Sequence, residues 1–375
     1  MQSIIDQFQL ENPVLLPEAI KVGIINQSFC LKAAVEGGKS YFLQRINHNI
    51  FQDVEGLQNN IDRVTSHIRQ LLTEAGEADV ERKVLRVVPT KDGKLYYRTP
   101  EGDYWRIYVL IENALSYERI DAQSAFLAGQ AFGNFQCQLA SIDTDTLVES
   151  IPHFHDLAFR IEQLHEALNK DTAGRKAATQ DIADFLLQRA EEMCLAEQLY
   201  AEGKLAKRVN HCDTKVNNML FDQQGNPMCI VDLDTVMPGF VFSDFGDFIR
   251  TAANTGAEDD PNLDNIHVNM EIFQAYAKGY LSTATFLTPL EISLLPYGCT
   301  RMSFMQAVRF YVDYLNGDTY YQIAYPEHNL VRTKAQIRLF VEQEKAKPQM
   351  HAIMAVSPGD GFTLQYGEGD GGGMR

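Results

Sequence analysis

One short β hairpin interrupts an otherwise helical half of the chain, and that interruption limits the possible folds more than any other feature. Apolar runs at Asn217–Phe221 and Met228–Asp232 flank the turn Asp222-Gln223-Gln224-Gly225-Asn226-Pro227. On both sides the patterning is helical. Helices are predicted over Ala122–Ala140, His155–Leu168, Ala177–Glu202, Val268–Leu281, Pro289–Leu315 and Thr333–Glu344. Pro296 predicts a break or kink in the fifth. Before about Glu112 the pattern differs. Ser28–Val35 and Ser40–Ile46 read as a hairpin about Glu36-Gly37-Gly38-Lys39. Val54, Leu57, Ile61, Val64, Ile68 and Leu71 recur at spacings of three and four, which predicts one amphipathic helix. Two more hairpins are expected. Val84–Val88 would pair with Leu95–Arg98, and Tyr96–Thr99 with Tyr104–Ile111. Strands carrying one helix, then helices carrying one hairpin, make an α+β pattern of two unequal lobes.

The residues before that hairpin carry the chemistry. In His211-Cys212-Asp213-Thr214-Lys215-Val216-Asn217-Asn218, an H-x-D is followed five positions later by Asn. The hairpin then folds back, so Asp232 returns to the pocket of Asn218. Phosphoryl transfer needs this set. One carboxylate orients the attacking hydroxyl and takes its proton, while a second carboxylate and an amide oxygen hold Mg²⁺ across the phosphates. Lys215 lies where its ammonium reaches the transferring group. His211 is expected to hold the loop backbone rather than act as a base. Asp234 reads as a turn former in preference to a second metal contact. Asp244 and Asp247 read as a helix cap and a brace for the loop rather than as a second metal site. His153 and His155 lack an evident third ligand, so His155 is assigned a capping or packing role.

The octet resembles the catalytic loop of protein kinases, and Asp232 resembles the aspartate of their D-F-G strand. Cys212 replaces the arginine of that loop, and Leu233-Asp234 replace Phe-Gly. These departures resemble the small-molecule branch, the aminoglycoside phosphotransferase and choline kinase relatives. Within that branch the chain most resembles N-acetylhexosamine 1-kinases. The likeness lies in Tyr41–Asn47, Tyr104-Trp105-Arg106, Ile111-Glu112-Asn113, the 211–218 loop, Asp232–Gly239 and Arg309–Leu315. It implies a two-lobed protein-kinase-like fold, with a nucleotide-binding lobe at 1–112, a catalytic and substrate-binding lobe at 113–366, and a flexible tail at 367–375. It further implies ATP- and Mg²⁺-dependent phosphorylation of the anomeric hydroxyl of N-acetylglucosamine or N-acetylgalactosamine. Asp213 would be the base, assisted by Lys215, with Asn218 and Asp232 as metal ligands. The loop Gly23–Phe29 would cover the phosphates through Ile24, Asn26 and Ser28, although its single glycine departs from G-x-G-x-x-G. Arg45 would be the cation near the α- and β-phosphates, with Gln44 as the neighbouring register, and Glu55 or Asn60 would orient it. Backbone at Ile111 and Asn113 would meet the adenine. The sugar would contact Asp213, Arg309 and Tyr320, although Arg309 also stands i, i+4 to Asp313 as a helix-face ion pair. The alternatives are an aminoglycoside, choline or homoserine kinase, or a kinase-like binding module without catalysis.

Composition bounds the partners. The 375 residues carry a net charge of −17, which disfavours a nucleic-acid or anionic-membrane surface. The longest uncharged stretch, Ala122–Ile142, holds several Gln and Asn residues and is not a membrane span. The six cysteines form no CxxC pair or zinc spacing, which suits a reducing, cytoplasmic setting. The first residues lack the pattern of a secretory signal. A monomer or weak homo-oligomer is expected.

Overall fold

The computed structural model describes residues 1–20 and 25–355. Its first unit opens with the short helix α1 (Gln2–Ile5) and continues through β1 (Glu18–Ile20), β2 (Gln27–Leu31) and β3 (Tyr41–Ile46). Helix α2 (Val54–Glu74) and the short α3 (Val80–Lys83) come next, followed by β4 (Val87–Val88), β5 (Tyr97–Arg98) and β6 (Tyr104–Val109). The sheet is antiparallel, in the order β1-β2-β3-β6-β4, with β5 also on β6. Alternation gives it two faces. Leu43, Trp105 and Ile107 meet Ile5 and Phe8 on one side. Ile46 and Tyr108 meet Leu57, Ile61 and Val64 of α2 on the other. Asp53 caps α2 by accepting the Gly56 amide at 2.8 Å.

One expected hairpin does not form. Val87 and Val88 pair with Tyr108 and Ile107 of β6 instead of with Leu95–Arg98. The turn after them closes on itself through Thr90 and Lys94, and burying Val88 beside Trp105 and Ile107 decides the partner.

The second unit holds α4 (Ala122–Leu139), α5 (Leu157–Lys170), α6 (Gln180–Met193) and α7 (Leu195–Ala201). After these come β7 (Arg208–Asn210), β8 (Met219–Phe221), β9 (Pro227–Ile230) and β10 (Met237–Gly239). It ends with α8 (Val241–Ala252), α9 (Met270–Thr283), α10 (Pro289–Leu315) and α11 (His328–Ala355). The predicted hairpin is β8–β9, and β7 pairs with β10. This is the protein-kinase-like, two-lobed α+β fold. The single helix expected over Ala177–Glu202 is broken at Cys194. The Tyr297 hydroxyl donates to Met193 O at 2.6 Å and accepts the Ala196 amide at 3.3 Å, substituting for helical bonds there. Conversely, α10 runs through Pro296 without a break. Its contact with α8 overrides the local cost. Gly298 and Gly246 let the two backbones touch, and a Cβ on either would collide with the carbonyl of Phe242 or Gly298. The tail expected at 367–375 lies outside the described residues. Among the described residues no helix is long and apolar enough to cross a membrane.

Candidate active site

The 211–218 loop lies between β7 and β8 and is held from below by α8. Asp244 sits inside the first turn of α8, where it braces the loop rather than capping the helix. Its carboxylate accepts the amides of His211 at 2.7 Å and Cys212 at 2.9 Å, and Gln136 Nε2 at 2.9 Å. The Thr214 hydroxyl donates to its carbonyl at 2.6 Å. Burial lifts the Asp244 carboxyl to about 6, against the pull of His211 and these N–H groups. His211 Nε2 donates to Val231 O at 2.9 Å, and Nδ1 accepts the Asp213 amide at 3.2 Å. The imidazole therefore ties the loop to the strand leading into Asp232. Cys212 and Asp232 both take positive φ, at 63° and 58°. Non-glycine residues in that region carry strain, which collects at working sites.

Asp213 faces Lys215, whose Nζ lies 2.8 Å from Oδ1. Burial works against the ammonium, but Asp213 outweighs it and the Lys215 pKa rises. Asn218 Nδ2 donates to Asp213 O at 2.8 Å and to Oδ2 at 3.1 Å, which turns its own Oδ1 away for another partner. Val231 N bonds to Asn218 O at 2.9 Å, so the hairpin brings Asp232 beside Asn218. Asp232 opens into the cleft and has no hydrogen bond or ion pair among the described residues. The surrounding protein, then Asp234 and Asp213, push its carboxyl upward. An amide oxygen and an uncompensated carboxylate fit a hard divalent cation such as Mg²⁺.

The cation assignment is corrected. Arg45 pairs in register with Gln27 and Trp105, on the sheet face turned away from the second unit. It forms an ion pair with Asp103 at 2.5 Å, with its side chain 39% exposed. One residue earlier, Gln44 points to the cleft beside its register partner Arg106. Arg106 grips Asp234, with Nη1–Oδ1 at 2.5 Å and Nη2–Oδ2 at 2.8 Å, and donates twice to Gln44 Oε1. Burial opposes its charge, but Asp234 outweighs it and holds the guanidinium pKa above its usual value. Asp234 lies in the single-turn helix Leu233–Thr235, as the turn reading expects, and its carboxylate is also a buried anchor. Asn26 Nδ2 also donates to it at 2.6 Å, while Asn26 Oδ1 accepts the Asn47 amide. Ser28 is buried and accepts Gln44 Nε2 at 3.1 Å. The side chains of Asn26 and Ser28 therefore point into this network, and Ile24 lies outside the described residues. Helix α2 does not orient the cation. Glu55 is exposed, and Asn60 Nδ2 donates to the carbonyls of Val148 and Val236. Arg106 and Asp234 were missed because their link spans 128 residues; the sole local signal was the strand alternation that pairs Arg106 with Gln44.

At the inter-lobe connection, Ile111 is buried and Asn113 takes φ 53°. The amides of Ile111, Glu112 and Asn113 make no backbone hydrogen bond among the described residues. On the other side of Asp213, Arg309 stacks over Phe154 at 5.0 Å and Tyr321 at 5.7 Å. It does not pair with Asp313. That carboxylate accepts the amides of Thr319, Tyr320 and Tyr321. Tyr320 is 60% exposed at the rim, edge-on to Tyr321. His155 stacks on Phe154 at 4.6 Å, and the fields of both Arg309 and Asp213 reach it. A cavity of about 450 Å³ borders Lys215, Arg250 and Glu258.

The profile of the Phosphotransferase enzyme family (APH) matches residues 18–283. Among solved structures, the chain is similar to a microcompartment-associated aminopropanol kinase. The identity is 14% and the TM-score 0.56, over 93% of this chain and 97% of that one. A spectinomycin phosphotransferase in complex with ADP and spectinomycin matches at 15% identity and TM-score 0.56, over 93% and 98%. Plasmodium vivax ethanolamine kinase matches at 14% and 0.54, over 91% and 85%.

Proposed function

Because the chain belongs to the phosphotransferase enzyme family, we propose that it moves the γ-phosphoryl group of ATP onto the anomeric hydroxyl of an N-acetylhexosamine. The products are the sugar 1-phosphate and ADP. On this reading the described residues within 1–112 serve as the nucleotide-binding lobe and those within 113–366 as the catalytic and substrate-binding lobe. The observation that carries the reaction type is the Asp213 carboxylate, held by Lys215 and Asn218 beside the unpaired Asp232. Asp213 orients the sugar hydroxyl in line with the γ-phosphorus and accepts its proton as the new O–P bond forms and the bond to ADP breaks. Asn218 Oδ1 and Asp232 are the residues that would hold Mg²⁺, and its charge would then offset that of the phosphates. Lys215, beside Asp213, supplies the positive charge for the transferring group, while the buried Arg106–Asp234 pair anchors the wall of the site and Arg45 lies on the other face of the sheet. The free amides at Ile111–Asn113 face the adenine edge. Six free thiols fit a cytoplasmic setting.

A hexose presents hydroxyl edges and an apolar face. Arg309 and the rings of Phe154, Tyr320 and Tyr321 supply donors and flat surfaces to match. The test is ADP release from Mg²⁺-ATP across a panel of N-acetylglucosamine, N-acetylgalactosamine, glucose, kanamycin, choline and ethanolamine, with phosphorus NMR locating the phosphate. Turnover on the N-acetyl sugars at the anomeric carbon is the expected result. Turnover confined to amine acceptors overturns the sugar assignment and leaves the catalytic loop in place.

A further inference from the structure

The acceptor side of the cleft holds positive charge that no carboxylate neutralises among the described residues. Arg160 on α5 donates Nη1 to Gln163 Oε1 at 2.8 Å and Nη2 to Phe154 O at 3.3 Å. Its Nε is buried without a partner. Arg309 on α10 donates to Gln306 Oε1 at 3.1 Å and otherwise rests on Phe154 and Tyr321. Neither guanidinium has a carboxylate within ion-pair distance among the described residues, and each lies in the other's field. Burial, with Arg309 next, pulls Arg160 down to about 10. Two more buried polar atoms of the same cluster, His155 Nδ1 and the Tyr321 hydroxyl, have no partner either.

The carboxylates that the cluster feels are already engaged. Asp156 accepts the Phe159 amide at 3.0 Å and binds His153 Nδ1 at 2.9 Å. Asp213 holds Lys215, and Glu258 holds Arg250, which it shares with Asp247. The third arginine nearby, Arg301, is neutralised by Glu197 at 2.5 Å. In a chain of net charge −17, this corner is locally cationic and rich in donors.

We propose that Arg160, acting with Arg309, selects acceptors by charge, admitting molecules that present carbonyl, hydroxyl or carboxylate oxygens and rejecting those that carry an ammonium. This rests on the sugar-kinase reading and sharpens it. An uncompensated cation raises the free energy of a second cation and strengthens hydrogen bonds to acceptor oxygens. Arg160 is a specificity residue, since its guanidinium hydrogen-bonds only Gln163 and Phe154 and makes no contact with Asp213 among the described residues.

The measurement is the ratio of kcat/KM for N-acetylglucosamine over glucosamine, which share a ring but differ by an amide against an ammonium. Wild type should favour the amide by more than tenfold. Arg160→Gln should reduce that ratio at least about tenfold, and Arg160→Lys, which keeps the charge, should restore most of it. A merely structural role would slow both sugars together and leave the ratio unmoved, which overturns the proposal. The wild-type ratio needs no variant, so equal use of glucosamine overturns it even where Arg160→Gln does not fold. If neither sugar is turned over, the sugar reading fails on its own. The panel acceptors then decide, since preference for choline, ethanolamine or kanamycin removes the charge filter and preference for a neutral or acidic acceptor retains it.

Discussion

Replacing Arg106 by methionine keeps most of the aliphatic stem and removes the charge that ties β6 to the Asp232–Asp234 segment. Its side chain is 2% exposed and that of Asp234 is 5% exposed. The change deletes two contacts to Asp234, at 2.5 and 2.8 Å, and two bonds to Gln44 Oε1, at 2.7 and 2.9 Å. Asp234 is left buried with Asn26 Nδ2 as its remaining side-chain donor. Stranding one member of a buried pair costs about 3–5 kcal/mol. Adding Asp234→Asn removes the orphaned charge, so the double variant should recover at least about 2 kcal/mol relative to the sum of the singles. Arg45→Ala is the control. Its pair with Asp103 is partly exposed, so its loss should cost about 0–1 kcal/mol. Urea unfolding at equilibrium gives the stabilities, and initial rates give the KM for ATP. Arg106→Met should raise that KM more than about tenfold, while Arg45→Ala should leave it nearly unchanged. The reasoning fails if Arg106→Met costs under about 1 kcal/mol, if the two substitutions add, or if Arg45→Ala impairs ATP use as much.

Other residues test other links. Asp213→Asn should bind ATP normally and lose about 10²–10⁴ in turnover; near-normal rates in single-turnover quench experiments would remove it as the base. Asp232→Ala should abolish the Mg²⁺-dependent part of nucleotide affinity in calorimetry, and a variant that keeps the wild-type gain from Mg²⁺ would place the metal elsewhere. Burial raises Asp244 to about 6 from an ordinary carboxylate value, so the folded protein binds that proton more tightly than the unfolded chain. The stability it confers is therefore present at low pH and lost as pH rises through about 6. Between pH 4.5 and 7 the stability gap separating wild type from Asp244→Asn should shrink by about 2 kcal/mol. A constant gap in denaturant titrations would show that Asp244 is ionised throughout.

What the sequence made legible is what is local. The 211–218 loop, the β8–β9 hairpin and Asp232 sit within 22 residues, and spacing alone places them in one pocket. Helix α2 was readable from six apolar positions, and its structure spans Val54–Glu74. The failures share a cause, which is a partner distant in sequence. Val87-Val88 looked like half of a hairpin because a turn follows, but the buried face of β6 was the stronger claimant. Pro296 looked like a break because nothing local announces the glycine-mediated contact with α8. Arg309 and Asp313 looked like an i, i+4 pair. The three amides of residues 319–321 and Asn329 Nδ2 occupy that carboxylate instead.

Arg45 is the most instructive miss, because the error is a single residue. In a strand, one position changes the face, and the face decides whether a cation meets phosphate or solvent. Resemblance to protein kinases points to β3 for that cation and to the following helix for its carboxylate. Here β3 offers Gln44 to the cleft, beside its register partner Arg106 on β6. The carboxylate paired with Arg106 comes from Asp234, two residues beyond Asp232, and not from α2. Helix α2 is meanwhile clamped by Asn60 to the carbonyls at 148 and 236. Arg106 and helix α2 are thus each tied to the 232–236 segment by buried contacts rather than by a surface pair that a moving helix can make and break. Such contacts favour a site that stays assembled, with Leu233-Asp234 standing where the kinase motif carries Phe-Gly. The second letter of that pair is not a relaxed glycine but the anion that holds the two lobes in register.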